Sequence, residues 1–138
     1  MRAATPSSPT AAIELGRRVA FAGDGPAEIR DAYVGMSPVH TVNNLALVAW
    51  GLLRGADDFS IAIGDTVAAG WDTDCNGATV GALWGLTGRP IPAHWTEPWA
   101  GRVRTSLAGV GELVVDDLVE RTQAVVGRRG QAVTRPRP

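Results

Sequence analysis

Two aspartates one residue apart stand inside the segment Gly70-Trp71-Asp72-Thr73-Asp74-Cys75-Asn76-Gly77. If the backbone turns sharply there, the carboxylates of Asp72 and Asp74 converge on one point. Hard oxygen donors of this kind suit Mg²⁺ or Mn²⁺. The segment falls between two helical patterns. A following helix would offer free N–H groups and a positive dipole end, which favour charged carboxylates. The same residues also make an ordinary capping turn with Asp72 or Asp74 as N-cap, because Asp and Asn are preferred caps in any protein. Spacing alone leaves both readings open.

Other residues near this turn carry chemistry of their own. Trp71 can line a ligand pocket or stack on a flat ring, or it can pack beneath the turn. Cys75 would gain some thiolate character from a helix N-terminus, but neighbouring Asp74 opposes that. His40, Asn43 and Asn44 stand near the start of an apolar run. Bonding to nearby backbone is the ordinary role of asparagines there, and the alternative is that this end of the helix faces a cleft. Asp57-Asp58 reads as a helix start, and Asp116-Asp117 as the solvated face of a last helix. Trp95 and Trp99 read as packing anchors.

The elements that must position the turn are helical. A first helix is expected after Thr10 as N-cap, with Glu14 in the capping region, running to about Ala22. Pro26 fits the first position of a short second helix reaching about Val34. A third, opened by His40 or Thr41 and ending near Arg54, is apolar on nearly every face, which implies burial on all sides. Asp58 caps a fourth helix, Phe59 to Ala69. A fifth runs from about Cys75 to Leu86. Its Gly77, Gly81 and Gly85 recur every four residues, a stripe suited to close helix packing. Residues 87–98 form a Pro- and Trp-rich loop. A last helix spans about Gly111 to Val126, with Leu113, Val114, Leu118 and Val125 inward. No strand-like alternation is sustained, so the class is all-α. Residues 1–9 read as a flexible tail, 10–126 as the helical domain, and 127–138 as a disordered Arg/Pro tail.

Bulk properties exclude several partners. The net charge is −1 over 138 residues, with thirteen arginines and no lysine, and gives no basic surplus for nucleic acid. The longest apolar stretch, Leu45 to Leu53, is far short of the ~20 residues that a membrane helix needs. A single cysteine rules out an intrachain disulfide, so a reducing cytoplasm is the expected setting. A wholly apolar central helix in a chain this short points to a piece of a larger helical domain.

A wider set of residues sharpens the picture. It comprises His40-Thr41-Val42-Asn43-Asn44, Asp58-Phe59, Ala62-Ile63, the run Ala69 to Leu83, Gly88, Ile91-Pro92, Trp95 and Pro98. Together they resemble the C-terminal region of the ADP-ribosylglycohydrolase family over roughly residues 35–123. The resemblance implies the C-terminal portion of an all-α orthogonal helical bundle with a binuclear Mg²⁺ centre, Mn²⁺ being the alternative. It implies hydrolysis of the glycosidic bond linking ADP-ribose to a protein side chain or to a small molecule. The family's second metal-binding segment is an Asp-Thr-Asp-Thr turn. Carried over, Asp72 and Asp74 become metal ligands and Cys75 takes the final threonine's place. A thiol is a poorer partner for a hard cation than a hydroxyl. Trp71, Thr73, Asn76 and His40 are then candidate substrate-binding residues. The family's other metal-binding segment, a Thr-Asp-Asp stretch near its N-terminus, has no counterpart here. Asp57-Asp58 follows Ala56 and lies at the wrong end of the fold. A separate N-terminal half or a homodimer would complete the assembly, and the ligand would be an ADP-ribosylated protein or a small ADP-ribosyl compound. A stand-alone helical protein that binds ADP-ribose or a partner without hydrolysis is the other reading.

Overall fold

The computed structural model describes residues 5–133, so the outer parts of both expected tails, 1–4 and 134–138, lie outside the described residues. The chain parts after Pro92 into two compact units. The first is built from five helices, α1 (Pro9–Ala22), α2 (Ala27–Ala32), α3 (Thr41–Arg54), α4 (Phe59–Ala68) and α5 (Thr73–Leu86). The fold is all-α, with one two-stranded ribbon among the described residues. No helix there is long and apolar enough to cross a membrane.

Helix α1 begins earlier than Thr10. The Ser8 side chain accepts the Ala11 N–H and Pro9 occupies the first turn. Proline is preorganised for the first helical position, so the start moves upstream to the serine before it. Ala12, Leu15, Gly16 and Val19 form the buried face, at i, i+3, i+4 and i+7. A Cβ built on Gly16 would stand 2.3 Å from the Ala46 carbonyl oxygen, so α1 and α3 cross at backbone contact. Pro26 is the cap of α2 rather than its first residue, and the helix stops at Ala32, short of Val34.

Helix α3 is the hub, packed by α1, α2, α4 and α5. The core gathers Leu15, Val19, Ile29, Tyr33, Leu47 and Trp50 around it. Burial is not complete on every side. Leu45, Ala49 and Leu52 are half-buried and Leu53 is exposed, leaving one flank of α3 open. Asp58 caps α4 as expected, its carboxylate accepting the Ile61 N–H at 3.1 Å.

The glycine stripe of α5 faces α4 with only moderate closeness. A Cβ on Gly77 would meet Val67 Cγ2 at 3.2 Å, one on Gly81 would meet Ile63 Cδ1 at 3.7 Å, and one on Gly85 would meet nothing. The tightest approaches lie elsewhere. A Cβ on Gly51 would stand 1.7 Å from Thr66 Oγ1, and one on Gly55 would stand 2.2 Å from the Ala62 nitrogen.

The second unit departs most from expectation. A short helix, α6 (Ala93–Thr96), and a 3-10 turn (Glu97–Trp99) occupy the expected loop. Strands β1 (Arg102–Arg104) and β2 (Glu112–Val114) then pair antiparallel, with Val103 opposite Leu113. Arg102 and Glu112 form an ion pair. Leu113 and Val114 are therefore strand residues, and the last helix, α7 (Val115–Val133), starts later and ends later than expected. Residues 127–133 continue it instead of forming a tail. Leu118 and Val125, expected inward, are exposed, as is Trp99, expected as an anchor.

Candidate metal centre

The turn between α4 and α5 is set by two consecutive left-handed residues, Gly70 at φ 87° and Trp71 at φ 61°. Glycine adopts this conformation freely, whereas a bulky residue there costs roughly 1–2 kcal/mol. The surroundings hold Trp71 in place. Its ring meets Tyr33 edge-on, with centroids 6.3 Å apart at 77°, and it packs on the core. Arg30 Nη1 donates to the Ala69 carbonyl at 3.0 Å, fixing the end of α4 just before the bend.

After the bend, Asp72 takes the N-cap position of α5, but its side chain makes no capping hydrogen bond. The Asn76 N–H donates to the Asp72 carbonyl at 2.9 Å, the ordinary first bond of the helix. The Asp72 carboxylate is thus not consumed by the cap. Asp74 and Cys75 follow in the first turn, both exposed, while Asp72 is half-buried. One donor atom from each of Asp72, Asp74 and Cys75 lies within 4.8 Å of the others.

The chemistry of this donor set fits a hard divalent cation in two of its three members. Mg²⁺ is commonly held by one or two carboxylates and keeps several waters. The sulfur fits less well. A hydrogen bond to Asp72, the negative charges of Asp72 and Asp74, and desolvation together push the Cys75 thiol above its ordinary pKa. That shift works against a thiolate nucleophile.

Beside the turn runs an open groove of about 310 Å³. One wall is apolar, from Val39, Leu45 and Val48. The other carries Asp72, Cys75, Asn76 and Thr79, with Thr41 and Asn44 at the α3 end. Thr41 and Asn44, in the first turn of α3, line this groove. His40 is placed differently. Its Nδ1 accepts the Val42 N–H at 3.2 Å as the cap of α3, and it does not line the groove. Thr73 opens α5, its N–H donating to the Trp71 carbonyl, and Trp71 is turned to the core; neither lines the groove.

Asn76 borders the groove yet is 3 % exposed, and its Nδ2 donates to Asn44 Oδ1 at 2.7 Å. The resemblance makes Asn76 a substrate candidate, and Asn44 bonds to backbone as expected, donating to the Pro38 and His40 carbonyls. The structure joins them in a buried amide pair linking α3 to α5. The signal available in the sequence was the Asn43-Asn44 doublet entering an apolar helix, since amides are buried only with partners.

A family model described as ADP-ribosylglycohydrolase matches residues 2–127. No curated protein and no solved structure matches the chain.

Proposed function

Because the chain belongs to the ADP-ribosylglycohydrolase family, we propose that it serves metal-dependent hydrolysis of the glycosidic bond joining ADP-ribose to a protein side chain or a small molecule. The observation that carries this reading is the convergence of Asp72, Asp74 and Cys75 on one point inside the matched region. Asp72 and Asp74 would hold Mg²⁺ or Mn²⁺. A bound cation supplies Lewis-acid stabilisation of charge that develops as a glycosidic bond breaks. The chain's own residues supply position. The Gly70-Trp71 bend presents Asp72 at the groove's edge, and Val39, Leu45 and Val48 offer an apolar wall against which a ligand excludes water.

Glycoside hydrolysis through an oxocarbenium-like transition state ordinarily needs a carboxylate acting as acid or base. The sequence holds one acidic segment of metal-binding type. Asp58 is committed to capping α4, and Asp116 and Asp117 lie in the first turn of α7. The active assembly would therefore need a second acidic segment besides residues 72–75. This single segment also favours a second reading, in which the chain binds an ADP-ribosyl group or a partner without cleaving it.

Titration calorimetry with Mn²⁺ tests the metal centre. Wild type should bind one Mn²⁺, and Asp72→Ala or Asp74→Ala should weaken binding at least about tenfold. Equal heats from wild type and Asp72→Ala would remove the chemical basis of the reading. The chain alone should release no ADP-ribose from ADP-ribosyl-arginine. Turnover abolished by Asp74→Ala would show that no second segment is required.

A further inference from the structure

We propose that Asn44, 28 residues upstream of the metal turn, is the positioning residue that sets the relation of Asp72 to Asp74 and Cys75. The inference rests on the reading of that turn as a metal centre. Asn44 is 7 % exposed and its amide is fully used. Its Oδ1 accepts the Asp72 backbone N–H at 3.3 Å and the Asn76 Nδ2–H at 2.7 Å. Its Nδ2 donates to the Pro38 carbonyl at 2.7 Å and to the His40 carbonyl at 2.9 Å. An amide offers two acceptor sites and two donors, and all four are engaged. One side chain thus ties the turn before α3, the first helical turn of α3, and the first turn of α5.

The chemistry requires an amide. Leucine has the shape but neither donor nor acceptor, and aspartate keeps the acceptor while losing both donors. The bond to Asp72 is to its backbone, so it fixes where the carboxylate is rooted without touching the carboxylate. The bond to Asn76 fixes the rotation of α5 about its axis. That rotation decides whether Asp74 and Cys75, in the same helical turn, stand beside Asp72 or swing away from it. The bend has its own reason to relax, because Trp71 is held at φ 61°. Removing the anchor at Asp72 frees a strained turn to open.

Asn43 provides the contrast. Its Nδ2 donates to the Ser37 carbonyl at 3.0 Å, and its Oδ1 accepts the Asn44 N–H at 2.9 Å and the Asn44 Nδ2–H at a longer 3.3 Å. It supports the same end of α3 and makes no hydrogen bond to α5. The four bonds from Asn44 to Pro38, His40, Asp72 and Asn76 do not involve Asn43, so losing Asn43 should cost stability and disturb the metal turn far less than losing Asn44.

The test is Mn²⁺ affinity of the full chain, read as free Mn²⁺ by electron paramagnetic resonance, beside thermal melts without metal. Asn44→Ala should weaken Mn²⁺ binding about ten- to a hundredfold, the range typical of groups that orient metal ligands. Asn43→Ala should lower the melting temperature and leave affinity within about twofold of wild type. Should Asn44→Ala fail to fold, Asn76→Ala decides, since it cuts only the α5 side of the bridge and should weaken binding in the same range. A folded Asn44→Ala chain with wild-type affinity overturns the inference while leaving the metal centre standing. Equal losses in Asn43→Ala and Asn44→Ala overturn it too, because general destabilisation would then explain both. No Mn²⁺ binding by wild type overturns the metal reading, and this inference with it.

Discussion

Asp72 and Asp74 present hard oxygen donors, and Cys75, within 4.8 Å of both, presents a soft one. The carboxylates draw the thiol proton toward themselves, so the sulfur is held neutral where a hydroxyl would serve better. Replacing Cys75 by threonine substitutes a hard donor of similar size at the same helical position. Mg²⁺ affinity should rise by about three- to tenfold, while affinity for thiophilic Cd²⁺ should fall. Calorimetry with both ions checks it. Unchanged Mg²⁺ and Cd²⁺ affinities would mean that residue 75 does not reach the cation. At this scale the acidic pair and the odd cysteine were legible in the sequence, because their spacing is local. The role of Asn44 was not. Its partners, Asp72 and Asn76, lie 28 and 32 residues away, and only packing of α3 on α5 brings them together. His40, a substrate-binding candidate by the resemblance, uses its Nδ1 to cap α3.

Helix existence was legible wherever an apolar face repeats at helical spacing or a cap is unambiguous, as at Asp58 before α4. Boundaries shifted where two signals competed, as when Pro9 drew the start of α1 back to Ser8. The three-residue strands β1 and β2 escaped notice because alternation cannot declare itself in so few residues. Glycines show the limit most clearly. A regular stripe at Gly77, Gly81 and Gly85 looked like the packing device, whereas the closest approach of α3 to α4 runs through the isolated Gly51. Thr66 is buried there and bonded to the Ala62 carbonyl at 2.7 Å, and the new Cβ would also stand 3.2 Å from that carbonyl oxygen. Gly51→Ala should therefore destabilise by about 1–3 kcal/mol, the usual cost of overpacking. Gly85→Ala meets open space inside a helix and should be neutral or stabilising by up to ~1 kcal/mol. Thermal melts of the pair decide the matter. If Gly51→Ala melts with wild type, α3 and α4 do not approach as closely as described.

Across the whole molecule, the residues of the candidate site and those of the core share one unit. Every core residue from Ala12 to Ala69 lies before Pro92, as do Asp72, Asp74, Cys75 and all groove-lining residues. The described residues after Pro92 form a helix, a turn, a two-stranded ribbon and α7. A domain this small buries a modest share of its surface and is only marginally stable, yet α3 is gripped by four helices that all precede Pro92. A chain ending at Pro92 should therefore melt cooperatively and bind Mn²⁺ within about twofold of the full chain, since loss of distant residues ordinarily leaves a site's local energetics intact. Circular dichroism melts and the same resonance titration measure both. Cooperative melting with lost binding would place a needed group in residues 93–138, and Arg102, Glu112 and the α7 carboxylates would be the first to substitute. A chain that no longer folds would mean that the five helices before Pro92 bury too little surface to be stable alone.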